Sequence, residues 1–226
     1  MNTTLTIDVL SDVVCPWCLI GKRRLEQALA QYAHRYPDRP APTVRWHPFQ
    51  LNPDMPEEGM SRADYVRHKF GDRADTVYDR VKAVGRSLDI PFAIDAIARQ
   101  PNTASAHSLI GLAEVGGQQQ RLVEALFQAY FLQGVDLTQR SELARLAQEA
   151  GLSAEQVASC LNSEQARQQV RASDTRARQM GVQGVPFFIF NNQVGVSGAH
   201  EPEVLLQAME QAMQAPQGVA SAQPAP

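Results

Sequence analysis

Three cysteines in 226 residues are too few for a scaffold held by disulfides. No apolar run approaches the length needed to cross a bilayer, so no membrane partner is expected. Charge of one sign is also missing: the formal net charge is −3, and no basic stripe is present. That balance argues against nucleic acid as a partner. The opening MNTTLTIDVL has neither a basic n-region nor a long apolar stretch, so it reads as a first strand rather than a secretion signal. A cytoplasmic location is the resulting expectation. No repeat period appears. There is no second Cys-x-x-Cys, and the five histidines are scattered, so no metal site is expected.

Against this background one motif stands out. Cys15-Pro16-Trp17-Cys18 follows an apolar strand pattern and opens a helical one. A thiol at a helix N-terminus faces unpaired backbone N–H groups and the positive end of the helix dipole. Both favour thiolate, the reactive form, so the Cys15 pKa is expected below the ordinary ~8.5. Two intervening residues put Cys18 one turn behind Cys15, close enough to join it, and less exposed. Pro16 lacks only an N–H that a first helical turn leaves unused. In a reducing compartment such a pair points to exchange chemistry more than to a permanent staple.

The length suits one domain, or one domain with a sizeable insertion. Leu5, Ile7 and Val9 alternate with polar neighbours as a strand. A helical pattern follows from Trp17 to about Ala33, then a loop at Pro37, Pro40 and Pro42, then a short strand from Thr43 to Phe49. The helix is long enough to cross over between parallel strands. Helical patterns then dominate: 62–69, 73–87, 102–115, 119–132, 139–150, 153–159 and 163–180. Ser153 and Ser163 read as N-caps, and Gly116-Gly117, Gly134 and Gly151 as stops. Past Gly181, Phe187 to Phe190 form a dense apolar strand. Asn191-Asn192 turns it back into a hairpin through Val194 to Val196, and a last helix runs from Glu201 to Met213. The expected architecture is therefore α/β. Residues 1–55 and 181–214 form a sheet domain, and 56–180 form a helical lobe with the helix that returns to the sheet. The cleft between them is the default site. Residues 215–226 have little to bury and are expected to be disordered.

Several separated motifs carry a family resemblance. They are Ser11-Asp12 through Cys15-Pro16-Trp17-Cys18 to Gly21-Lys22 and Leu25-Glu26; Pro48-Phe49-x-Leu51-Asn52-Pro53; Asn102-Thr103-x-x-Ala106-His107; Gly181-Val182-x-Gly184-Val185-Pro186-Phe187-Phe188; and Ser197-Gly198-Ala199. Together they cover about residues 4–212 and resemble the FrnE-like members of the DsbA thioredoxin-fold family. The resemblance implies a thioredoxin-like fold with a large all-helical insertion. It implies that Cys15 attacks, that Cys18 resolves, and that Pro186 is a cis-proline facing them. Val185 would then turn its backbone groups toward a bound peptide or glutathione. The same scaffold serves 2-hydroxychromene-2-carboxylate isomerases and kappa-class glutathione transferases, which carry a serine where Cys15 stands. Where those relatives hold glutathione, this chain keeps Ser197, Gly198 and Asn52. His200 replaces a glutamine often found in the FrnE group.

The residues alone leave other readings open. Pro186 also suits a trans proline that starts a strand. Pro16 and Trp17 shape the site as an uncharged surface beside the thiols. Asn102 is an N-cap candidate, and His107 is a packed helical histidine or a group that steadies a thiolate at the cleft. His47 reads as a hydrogen-bonded wall residue, Asp12 as a cap or a group beneath the first helix, Lys22 as solvated, and Cys160 as a buried free thiol. The function these features favour is thiol–disulfide exchange with protein or low-molecular-weight thiols. No cofactor is tightly bound, glutathione acts as a co-substrate, and the protein is a monomer or homodimer. Two rivals remain: a glutathione-dependent isomerase or transferase acting on an aromatic or polyketide-like molecule, and a non-enzymatic holdase using Met180, Phe187 and Trp17 as an apolar surface.

Overall fold

The structure is a computed structural model that describes residues 4–74 and 76–214. The tail expected to be disordered lies outside the described residues. Strand β1 (Thr6–Ser11) is the centre of a four-stranded sheet of order β2-β1-β5-β6. It pairs in parallel with β2 (Thr43–Pro48) and antiparallel with β5 (Phe187–Phe190), which turns back into β6 (Val194–Ser197). Helix α1 (Pro16–Arg35) makes the crossover from β1 to β2. Asn191 and Asn192 both take positive φ within the three-residue connection between Phe190 and Val194, where Gln193 N–H closes the turn onto Phe190 C=O at 2.9 Å.

The two faces of β1 follow from its alternation. Ile7 and Val9 join Phe188, Phe190 and Leu19 in the main core, with Leu205 and Met209 of α9 (Pro202–Gln214). Leu10 points the other way, into a smaller cluster with Phe49, Ala177 and Val182. Asp8 shares that second face. Its carboxylate takes two hydrogen bonds of 2.7 Å from Arg45 and one of 2.6 Å from His47. Burial pushes Asp8 up, but these two partners outweigh it and hold the pKa below the usual value.

Between β2 and β5 lies the helical insertion. It opens with α2 (Arg62–Phe70) and α3 (Asp79–Ser87). It continues through α4 (Ala104–Val115), α5 (Gln119–Phe127) and α6 (Arg140–Glu149) to α7 (Ala154–Asn162) and α8 (Glu164–Gln179). Ser153 and Gln156 form a reciprocal capping box, and Ser163 caps α8. One feature had no visible signal: a two-residue antiparallel ladder, β3 (Met60–Ser61) with β4 (Arg99–Gln100), brackets α2 and α3. The pattern over 73–87 starts late, because a single 3-10 turn at Gly71–Arg73 precedes α3. The pattern over 119–132 ends as a helix at Phe127 and widens into a π turn over Gln128–Leu132.

The insertion also closes the free edge of β2. The Gln119 side chain accepts a hydrogen bond from Trp46 N–H at 2.8 Å and donates to Trp46 C=O at 3.1 Å. One amide thus stands in for a neighbouring strand. Lys22, expected to be solvated, is instead 5% exposed and pairs with Glu124 of α5 at 2.6 Å and with Glu26. Burying a lysine stem costs little when the charged head finds carboxylates. Cys160, expected to be buried, is half-buried.

Candidate active site

Cys15 is the N-cap residue of α1, and Pro16 holds the first helical position. The turn is closed by Cys15 N–H to Asp12 C=O and Cys18 N–H to Cys15 C=O, each 3.0 Å. No carboxylate lies in the first turn of α1. Both thiols are free. Cys15 is 4% exposed and Cys18 is fully covered, so the expected difference in access is present but small. Burial raises the Cys18 pKa well above its ordinary value, and the neighbouring Cys15 sulfur raises it further. Hydrogen bonds from the Ser11 hydroxyl and the Asp12 backbone work in the opposite direction.

The second wall is the turn before β5. The Val185–Pro186 peptide bond is cis. The Cys15 thiol reaches the Val185 carbonyl at 3.5 Å. Gly198 N–H donates to Pro186 C=O at 2.8 Å, which fixes the turn against the end of β6. Gly21 is required on the helix side: a Cβ there would lie 2.8 Å from Pro186 Cγ. So Cys15, Cys18, Pro16, Trp17, Val185, Pro186 and the neighbouring Ser197-Gly198 gather in one place.

The other expected site residues stand further back. His107 is buried and faces Asp12, Nε2 to Oδ1 at 3.4 Å, rather than a cysteine. Asp12 also accepts Leu51 N–H at 2.7 Å, so this carboxylate ties the dithiol loop to the loop after β2. His107 therefore reaches Cys15 only through Asp12. Asn102 accepts Ala104 N–H at 2.9 Å and donates to Met55 C=O at 2.6 Å; it clasps a loop to the start of α4. Asn52 donates to the Tyr65 hydroxyl at 3.3 Å and accepts from Lys69 at 3.2 Å.

The boundary between sheet and lobe holds more than one opening. A groove of about 700 Å³ lies between β2 and helices α4, α7 and α8, with His107 and Cys160 among its walls. Neither Cys15 nor Cys18 lines it. The dithiol lies at another part of that boundary, beside α3, whose Arg80 rests on Trp17.

Sequence reasoning missed what α2 and α3 bring there. The Arg62 guanidinium is stacked between the Tyr65 and Tyr78 rings, 5.3 and 5.1 Å from their centroids. It donates to the Tyr78 hydroxyl at 2.5 Å and to Gln100. Burial raises the Tyr78 pKa, Arg62 opposes that rise, and Cys15 is among the groups that add to it. Arg80 lies over the Trp17 ring, 5.6 Å from its centroid. The spacing of these residues carries no motif; only the packing of α3 against α1 brings them to the thiols.

A thioredoxin-type sheet with a Cys-x-x-Cys pair at the tip of its first helix defines a thiol–disulfide oxidoreductase. The chain belongs to the family of DSBA-like thioredoxin domains, whose model matches residues 6–210. It is similar to a probable DsbA oxidoreductase from Streptomyces coelicolor, with 30% identity, a TM-score of 0.83, and 96% and 94% of the two chains covered. Two more distant structures share the fold. One is a cytosolic disulfide reductase, DsbM, from Pseudomonas aeruginosa solved with GSH (18% identity, TM-score 0.61, 92% and 95% covered). The other is a 2-hydroxychromene-2-carboxylate isomerase (17% identity, TM-score 0.68, 92% and 96% covered). Among the described residues no helix is long and apolar enough to cross a membrane, and no cluster of potential metal ligands occurs.

Proposed function

We propose that this is a FrnE-like cytoplasmic oxidoreductase that exchanges disulfides with protein or low-molecular-weight thiols, with glutathione as a co-substrate. Cys15 is the attacking sulfur and Cys18 the resolving one. The observation that carries this assignment is the difference between the two thiols. Cys18 is fully covered and its thiol is held protonated by burial and by Cys15, whereas Cys15 caps the helix and retains some exposure. The Cys15 thiolate attacks a substrate disulfide, and the new Cys15–S bond replaces the substrate S–S bond. The departing thiolate takes up a proton. Cys18 then gives up its proton, attacks Cys15 and releases the second thiol. The same steps run backwards when a substrate thiol attacks the Cys15–Cys18 bond.

Val185 and Pro186 offer the other side of this path. The Val185 carbonyl lies against Cys15, where an extended peptide or glutathione backbone could pair with it. Ser197 and Gly198, tied to Pro186 through Gly198 N–H, would contact a glutathione co-substrate, and Asn52 would reach it from the loop after β2. Resemblance to the FrnE motifs and the DsbM structure with GSH support this part of the reading.

A Cys18→Ser variant tests the assignment. Mixed with glutathione disulfide, it should accumulate a covalent glutathione adduct on Cys15 that persists until a reductant is added. A Cys15→Ser variant should form none. Equal labelling of either remaining cysteine, or turnover of a chromene substrate by a variant lacking both, would contradict the proposal.

A further inference from the structure

Some cations of α2 and α3 are paired with carboxylates and others are not. On α2 and α3, Arg67 pairs with Asp64 and Lys82 pairs with Asp95. Arg62, Lys69 and Arg80 have no carboxylate partner among the described residues. Arg62 is 7% exposed, and its Nε is buried without a hydrogen-bond partner. Among the described residues Lys69 meets neutral groups: Asn52 at 3.2 Å, the Tyr65 hydroxyl at 2.7 Å, and two aromatic faces. Arg80 is exposed, and its guanidinium rests on Trp17, one of the two residues between the cysteines.

An arginine resting on an aromatic face keeps its charge, and the attraction to the ring favours that position. Trp17 therefore holds a positive group beside the dithiol, while Arg62 and Lys69 are held on the tyrosines of α2 and α3. An exposed cation without an ion-pair partner favours an incoming group that brings negative charge.

We propose that Arg80, held by Trp17, makes the protein selective for disulfides that carry carboxylates near the reacting sulfur. This rests on the redox reading above and adds to it a substrate class and a residue that selects it. In the reaction considered, the dithiol is oxidised to the Cys15–Cys18 bond and the disulfide is reduced to two thiols. Two electrons pass to the substrate, and the two thiol protons follow them. A single turnover of pre-reduced protein supplies all the reducing equivalents needed.

The experiment mixes pre-reduced protein with dithiodiglycolate (anionic), bis-hydroxyethyl disulfide (uncharged) or cystamine (cationic). Free thiols are trapped by alkylation after timed acid quench. Rates are normalised to the intrinsic reactivity of each disulfide toward free glutathione. The expected order is anionic, uncharged, cationic. Arg80→Ala should slow the anionic substrate about fivefold, leave the uncharged one unchanged and speed the cationic one. Arg80→Lys should retain most of the preference. In about 1 M salt, wild type and Arg80→Ala should converge. If Arg80→Ala changes all three rates alike, Arg80 only supports Trp17 and the selectivity is refuted. A wild-type protein that ranks the three equally refutes it as well, while leaving the redox reading in place. Failure to oxidise the protein with any of the three overturns both.

Discussion

Two parts of the helical insertion serve different ends. Helices α4 to α6 are held by apolar packing: Leu109, Leu122, Leu126 and Phe127 are fully covered, and Phe127 stacks on Phe131 and meets Trp46 edge-on. Helices α2 and α3 bury little apolar surface beyond Tyr65 and Val81. They are held by a cation between two tyrosines, a glutamine and a two-residue ladder. The first part is a scaffold that closes the sheet edge; the second is a wall that brings charge and aromatic rings to the thiols. Damage to the first should therefore appear as a global loss of stability, and damage to the second as opening confined to the wall beside the thiols.

The largest effect should come from the scaffold. Phe127→Ala should lower unfolding free energy by about 3–5 kcal/mol in urea titrations. The folded fraction should still exchange disulfides at the wild-type rate. A rate loss at unchanged stability would break the contrast. The wall is tested by Arg62→Met, which removes the hydrogen bonds to Tyr78 and Gln100 and the charge between the rings. The cost should be about 2 kcal/mol, confined to local opening. Amide exchange should quicken over 62–87 and stay slow in β1 and β5. Uniform quickening would mean that the two parts are not separable.

The smallest effect concerns the tie between the scaffold and the redox helix. Burial pushes Glu124 up, yet hydrogen bonds and charge from Arg23 and Lys22 bring its pKa down to about 2, against 4.5 for a free glutamate. A depressed folded pKa stabilises the native state above the unfolded value and loses that contribution as pH falls through the folded one. Glu124→Gln should therefore cost about 1 kcal/mol at neutral pH. The difference from wild type should hold above about pH 5 and shrink toward zero near pH 2. A difference that stays constant down to pH 2 would show that the ion pairs contribute nothing specific.

Much of the sheet was legible because its signals are local. Alternation marks β1, Asn191-Asn192 marks the hairpin, and a proline after Cys15 marks the tip of α1. Helix caps such as Ser153 and Ser163 are read from residues three apart. The cysteine motif was equally plain. Contacts between distant segments were not. Arg62, Tyr78 and Arg80 look like ordinary members of polar helices until α3 packs beside α1. Lys22 looks solvated until Glu124, far along the chain, arrives over it. His107 was noticed as a motif residue, but its partner proved to be Asp12, whose carboxylate orients a loop rather than a sulfur. The groove behind β2 shows the same limit: nothing in the sequence separates it from the part of the lobe–sheet boundary that holds the thiols.

The measurement closest to the heart of the account is the redox equilibrium of the pair itself. Protein is incubated in buffers of varying glutathione to glutathione disulfide ratio, quenched with acid and alkylated, and the products are separated by mass. The account predicts one reversible transition between a dithiol and a Cys15–Cys18 disulfide, with Cys160 alkylated throughout. A protein that keeps both thiols free across the whole range, or that gains glutathione without ever forming the internal bond, would contradict it.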